Sequence, residues 1–254
     1  MIFYFTGTGN SQYIAEVINE TLNDQIIFIN EELKENKNEV YHSKEPYVFV
    51  VPTYAYRIPR VIETFILNHQ FKGNQDIYFI LTCGANIGNA SQYGEKLAES
   101  QNMNYKGMAS IVMPENYIAM FTTPSNEEAR TIIQAGKQEA LKIARVIKAQ
   151  QSLPSKKKTL LGGVLSTVVN PCFYRLFVSD KGFQVNDDCI HCLKCVNICP
   201  LQNIHEQNGK IEFLHHCTHC MACISSCPKE AIIYKNRTQK KNHYYLRNAM
   251  KENK

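Results

Sequence analysis

Cys189-Ile190-His191-Cys192-Leu193-Lys194-Cys195-Val196-Asn197-Ile198-Cys199-Pro200 and Cys217-Thr218-His219-Cys220-Met221-Ala222-Cys223-Ile224-Ser225-Ser226-Cys227-Pro228 are two copies of one pattern, C-x2-C-x2-C-x3-C-P. Each cysteine of the second run lies 28 residues after its counterpart in the first. The duplication absorbs eight of the ten cysteines. Three thiolates spaced by two residues can wrap a metal core within one tight turn. A cubane core needs four, one for each iron.

This spacing resembles the run by which bacterial ferredoxins hold two [4Fe–4S] clusters. The resemblance implies crossed ligation, because in those proteins the fourth cysteine of each run serves the other cluster. Cys189, Cys192, Cys195 and Cys227 would hold one cluster, and Cys217, Cys220, Cys223 and Cys199 the second. Binding then becomes folding energy for both halves together. Zinc also accepts four cysteines, but a zinc ribbon uses two pairs rather than two sets of four with a repeated C-x3-C-P. Disulfides suit secreted chains that cannot build a core, and nothing at the N-terminus reads as a secretory leader.

The 254 residues, 44% hydrophobic and 20% charged, describe a globular chain of one large or two modest domains. Its formal charge of +5 counts no cofactor. Two oxidised clusters on eight thiolates would bring it to about +1, and a flavin phosphate to about −1. The basic balance is therefore poor support for nucleic-acid binding. Residues 160–178 are the one strongly apolar stretch, but Gly162, Gly163, Asn170, Pro171 and Arg175 interrupt it. No membrane span is expected, and the expected compartment is cytoplasmic.

Apolar runs Ile2–Phe5, Gln25–Ile29, Tyr47–Val51, Ile77–Leu81 and Ala109–Met113 alternate with helical patterns. Strands buried on both faces read this way. The clearest helical face is Ala129, Ile132, Ile133, Ala140, Ile143, Ala144 and Ile147, with a capping box at Ser125 and Glu128. The expectation is a five-stranded parallel α/β sheet with helices on both faces, whose ligand sits at the carboxyl ends of the strands. The loop after the first strand reads Thr6-Gly7-Thr8-Gly9-Asn10-Ser11-Gln12. Glycines admit close backbone approach, hydroxyls donate, and a helix N-terminus follows, which together suit a phosphate. No lysine follows, so it is not the GxxxxGK[ST] loop.

That loop resembles the FMN-phosphate loop of flavodoxins, commonly T-x-T-G-N-T, with Ser11 in the last hydroxyl position. The resemblance implies that Thr6, Thr8, Gly9, Asn10, Ser11 and Gln12 surround the phosphate. It also implies that two further loops line the isoalloxazine ring. One holds Pro52, Thr53, Tyr54, Ala55 and Tyr56; the other holds Cys83, Gly84, Ala85, Asn86, Gly88 and Asn89. Many flavodoxins sandwich the ring between Trp and Tyr, and this chain has no Trp. One flavin face is therefore expected to be bare, with Arg57 as a cation nearby.

As a whole the chain resembles a flavodoxin-like domain fused to a bacterial two-cluster ferredoxin, as in the EFR1-family ferredoxins of anaerobic bacteria. The expected domains are 1–150 for FMN, 151–180 as a linker or bridging segment, 181–236 for the clusters and 237–254 as a basic tail. The expected function is electron transfer between one-electron clusters and FMN, with redox partner proteins (a ferredoxin-type donor or an acceptor oxidoreductase). Two alternatives stand beside it: a flavin-dependent reductase of a small acceptor such as a quinone or nitro compound, and a non-enzymatic redox sensor. Cys83 and Cys172 read as packing residues, and the tail as a solvated extension. His191, His215, His216 and His219 are candidates to hydrogen-bond cluster sulfur.

Overall fold

The structure is a computed structural model that describes residues 1–35, 39–154 and 159–251. Part of the expected linker (155–158) and the end of the tail (252–254) lie outside the described residues. The first domain contains β1 (Ile2–Tyr4), α1 (Asn10–Leu22), β2 (Ile26–Phe28), α2 (Ile29–Glu35), β3 (Val40–Ser43) and β4 (Tyr47–Pro52). It continues through α3 (Arg60–Asn68), β5 (Gln70–Gly73), β6 (Asp76–Cys83), α4 (Ala90–Ser100), β7 (Asn104–Val112) and α5 (Asn126–Lys148). The main sheet is fully parallel in the order β2-β1-β4-β6-β7. This is the flavodoxin-like order, with its switch point between β1 and β4.

The strands are apolar throughout because each feeds two cores. Phe3, Phe49, Phe79 and Leu81 face one way, toward α3 and α4. Ile2, Tyr4, Val48, Val50 and Ile80 face the other, where α1 and α5 pack through Ile14, Ile18, Ile133, Ala140 and Ala144. The capping box starts α5: Ser125 Oγ accepts from the Glu128 amide, and the Glu128 carboxylate accepts from the Ser125 amide. The strands β3 and β5 were not among the five expected. They pair with each other outside the main sheet, and each sends one aromatic inward, Tyr41 and Phe71. A four-residue strand with one buried residue leaves no periodicity to read.

Beyond α5 the chain forms α6 (Leu160–Val164), a π-helical turn (Leu165–Val169) and α7 (Asn170–Leu176), which together bridge to the second domain. That domain holds β8 (Phe183–Val185), α8 (Lys194–Ile198), β9 (Ile204–Gln207), β10 (Lys210–Phe213), α9 (Ala222–Ser226) and β11 (Ile232–Tyr234). β8 pairs antiparallel with β11, and β9 with β10. The cysteine repeat is also a backbone repeat. His191 and Leu193 adopt φ of 52° and 57°, and their counterparts His219 and Met221 adopt 55° and 62°. Left-handed backbone in four non-glycine residues is costly, so something must hold each turn in place. No helix among the described residues is long and apolar enough to cross a membrane.

The tail is not a solvated extension. From Lys235 it folds back across both domains as a strap ending in α10 (Leu246–Ala249). His243 bonds the Ile224 carbonyl of the second domain at 3.1 Å, and Lys241 donates to the Ile118 and Phe121 carbonyls, each at 2.9 Å. Tyr244 is buried in the core between α1 and α5, and its hydroxyl donates to Asn10 Oδ1 at 2.7 Å. The Leu246 amide donates to the Thr8 carbonyl at 2.9 Å. Replacing Tyr244 by Ala should cost about 3 kcal/mol, the scale of deleting a buried aromatic. A lowered urea midpoint, with faster trypsin cleavage after Lys240, Lys241 and Arg247, is the expected result; an unchanged midpoint would show that the strap is not part of the core.

Candidate functional site

Two cages in the second domain contain the eight repeat cysteines. One is walled by Cys189, Cys192, Cys195 and Cys227 with Val185, Ile190, Leu193, Ile211 and Ile232. The other is walled by Cys199, Cys217, Cys220 and Cys223 with Phe183, Leu201, Ile204, Phe213 and Met221. Each cage therefore takes three cysteines from one run and the fourth from the other. Among the described residues no three His, Cys, Asp or Glu side chains converge on a single-ion site. The thiols ring a space instead, which suits a polynuclear core. The Cys199 and Cys217 sulfurs accept from the Asn203 and His219 amides at 3.3 and 3.2 Å. Such bonds stabilise thiolate charge and tune a bound metal.

The cages differ in exposure. Cys192 is exposed and Cys189 half-buried, whereas Cys223 is buried. Burial pushes the Cys217 thiol up to about 12 and also raises Cys220 and Cys223. Loading the inner cage must therefore displace protons from the thiols. Three of the four histidine rings are engaged by oxygen groups of the protein. His215 Nδ1 pairs with buried Asp180 at 2.8 Å, His216 Nε2 meets the Leu201 carbonyl at 2.8 Å, and His191 lies exposed among the outer ligands. His219 joins the Tyr117 hydroxyl at 3.0 Å to the Ser179 carbonyl at 2.7 Å.

At the carboxyl edge of the sheet lies a cleft of about 660 Å³. The loop after β4 supplies Pro52, Thr53, Tyr54, Ala55 and Tyr56, and the loop after β6 supplies Cys83, Gly84, Ala85 and Asn86. Gly7 comes from the loop after β1, Asn10 from the start of α1, and Cys220 and His219 from the second domain. Cys220 thus lines both the cleft and the inner cage. Thr53 Oγ1 is buried there without a hydrogen-bond partner. An orphaned hydroxyl at a cleft wall is the kind of group a bound polar ligand satisfies. The close approach depends on Gly7, where an added Cβ would lie 1.8 Å from the Cys220 carbonyl oxygen.

The rest of the β1–α1 loop is tied into the protein. Thr6 Oγ1 accepts from the Gly9 amide at 3.0 Å, and Thr8 Oγ1 accepts from Asn116 Nδ2 at 2.7 Å. Each hydroxyl keeps its own proton to donate. Asn10 donates to the Pro114 carbonyl at 2.9 Å, and Ser11 shares a proton with Thr82 at 2.8 Å. Gly9 and Gln12 face an outer groove beside the strap rather than the cleft. Thr6, Thr8 and Ser11 are buried and do not line the cleft, and the first-turn amides of α1 have no carbonyl partner within the helix.

Gly88 and Asn89 lie outside the cleft lining and grip the bridge. The Asn89 amide donates to Ser166 Oγ at 2.9 Å, and its side chain to the Thr159 carbonyl at 2.9 Å. Arg57 also points elsewhere, pairing with Glu63 at 3.0 Å and stacking 3.7 Å over Tyr93. Sequence reasoning missed the loop after β7, which brings Pro114, Glu115, Asn116, Tyr117, Met120 and Phe121 to the cleft. It also missed the bridge wall of Val168, Val169, Cys172, Phe173 and Phe177. The first could have been found, since it follows the fifth strand at the same sheet edge. These segments bring the rings of Tyr117, Phe121, Phe173 and Phe177 to the cleft, and Cys172 is exposed there rather than packed.

The bridge also holds a strained loop. Tyr54 and Arg57 exchange backbone hydrogen bonds of 2.9 and 3.1 Å around Ala55 and Tyr56, whose φ values are 42° and 68°. Such a turn ordinarily takes Gly or Asn at both positions. Asn170 Nδ2 donates to the Tyr54 and Ala55 carbonyls at 2.8 and 3.1 Å, and Ser166 Oγ donates to the Tyr56 carbonyl at 3.0 Å.

Residues 181–228 match the family described as a 4Fe-4S dicluster domain. The second domain is thus an iron–sulfur domain of ferredoxin type. Solved structures similar to the first domain include general stress protein 14 from Treponema denticola, in complex with FMN. It is 10% identical, with a TM-score of 0.40 over 57% of this chain and 98% of that one. An azoreductase from Bacillus anthracis str. Sterne is 14% identical, with a TM-score of 0.33 over 56% and 96%. A flavodoxin from Streptococcus pneumonia TIGR4 is 12% identical, with a TM-score of 0.32 over 56% and 97%. No curated protein sequence shows significant similarity to this chain.

Asn170→Ala removes both clamps on the strained loop, at about 1 kcal/mol each. Hydrogen exchange at the Tyr54 and Arg57 amides should quicken about tenfold or more. Exchange unchanged from the parent chain would mean that the turn holds itself.

Proposed function

We propose that this chain is an iron–sulfur flavoprotein that moves electrons between two [4Fe–4S] clusters and FMN. The observation that carries the reading is Cys220, which borders the cleft on one side and the inner cage on the other. When bound, the clusters supply one-electron steps and FMN exchange of one or two electrons. The outer cluster would be held by Cys189, Cys192, Cys195 and Cys227, and the inner one by Cys217, Cys220, Cys223 and Cys199. Domain limits of 1–150 and 181–236 belong to the same proposal, with 151–180 as the bridge and 237–254 as the strap.

The residues divide the work. The first-turn amides of α1 offer donors to a phosphate. Thr53 Oγ1 offers a donor to a ring heteroatom, and Tyr54, Tyr117 and Phe173 offer faces that exclude water. Exposed Ile190 and Leu193 surround the outer cage beside Cys192, which suits brief docking of a redox partner protein. The resemblance to EFR1-family ferredoxins agrees with this architecture. A small-molecule acceptor of its own is compatible with this reading; the competing one is a redox sensor. A sensor would bind its partner differently when oxidised and when reduced.

Protein purified without oxygen should carry about eight irons, matching sulfide and one FMN per chain. Cys192→Ser should lose iron while keeping FMN, because that ligand belongs to the outer cage. Cys220→Ser should lose iron and disturb the FMN spectrum as well. Zinc without sulfide, or iron without any flavin, would overturn the reading.

A further inference from the structure

The cleft changes character from floor to mouth. The floor of the cleft carries buried Asn10 and the buried Thr53 hydroxyl, while the exposed mouth is formed by Met120, Phe121, Val168, Val169 and Phe177, with Phe173 beside them. Two of these are among the most exposed large apolar residues of the chain, Val168 at 54% and Phe121 at 50%. Val164 and Leu176, one turn before Val168 and one turn after Cys172, extend the exposed apolar surface along the bridge. Apolar side chains gathered around a cleft mouth mark a binding surface rather than chance exposure. The bridge is π-helical from Leu165 to Val169, which places both Val168 and Val169 at the mouth. π turns concentrate at functional sites.

Charge narrows the occupant. Among the described residues no lysine or arginine lines the cleft, and the one carboxylate there, Glu115, accepts from the Asn116 and Tyr117 amides at 2.9 and 2.8 Å. A nicotinamide dinucleotide would bring a pyrophosphate with no cation to meet it. An organic acid would meet apolar side chains and a like charge. A neutral flat ring gains from the aromatic and aliphatic walls and leaves no charge unpaired.

We propose that the mouth of the cleft binds a neutral planar aromatic acceptor of the quinone class. The inference rests on the flavin reading of the floor. Two electrons enter singly from a reduced one-electron carrier and two protons come from water. The quinone takes up both and leaves as the hydroquinone.

The test uses two naphthoquinones that share a ring system, neutral menadione and anionic naphthoquinone-2-sulfonate. Their affinities for the oxidised, fully loaded protein are measured by calorimetry, with FMN and iron assayed on the same preparations. Menadione should bind at least tenfold more tightly than the sulfonate, and Val168→Asp should weaken menadione at least tenfold. Equal affinities, absent menadione binding, or a Val168→Asp variant that binds like the parent would overturn the proposal. The comparison of the two ligands needs no variant, so it stands even if Val168→Asp does not fold. FMN present without preference for menadione defeats this inference alone. Preference for menadione without FMN defeats the flavin reading and leaves the binding site standing.

Discussion

The Cys220 carbonyl lies against Gly7, where no side chain intervenes. That contact joins the first loop of the sheet to the second cysteine turn, and the rest of the arrangement depends on it. Cys220 packs against the core of the first domain while walling the inner cage. The second domain is therefore docked by one of its own candidate cluster ligands. Any shift that separated the domains would move the wall of the cage and the wall of the cleft together.

Two segments hold the contact closed. On one side the bridge inserts Ser166 and Asn170 onto a turn whose residues sit in left-handed backbone. On the other side the strap threads Tyr244 into the core beside Asn10 and bonds the Thr8 carbonyl. Ile118 and Ala119, from the loop after β7, pack with Phe183, Met221, Ile224 and Tyr234 in a third core shared by both domains. The strain in the Ala55–Tyr56 turn is tolerable because Ser166 and Asn170 fix its carbonyls. Precise positioning at a redox site comes at that cost, and it is met by segments distant in sequence.

Much of this was legible in the chain. Main-sheet strands buried on both faces must be apolar throughout, so Ile2–Phe5, Tyr47–Val51 and Ile77–Leu81 stand out. A 28-residue cysteine repeat leaves little choice of ligand chemistry. The loops after β1, β4 and β6 follow from the topology, since ligands gather at the carboxyl edge. What could not be read depends on long-range contacts. Asn170 reaches Tyr54 across 116 residues and Tyr244 reaches Asn10 across 234. Periodicity reports which face of an element is buried, not what lies against it. For that reason Cys172 read as packing and the tail as solvated, while Gly88 and Asn89 read as ring-lining although they hold the bridge.

The central claim is that cluster and flavin sites communicate within one chain through the wall at Cys220. Flash reduction of the clusters, followed by the optical signal of flavin reduction, tests it most directly. The account predicts a first-order transfer whose rate constant stays the same across a tenfold dilution of the protein. A rate that falls in proportion to protein concentration would mean that electrons pass between molecules, and would contradict it.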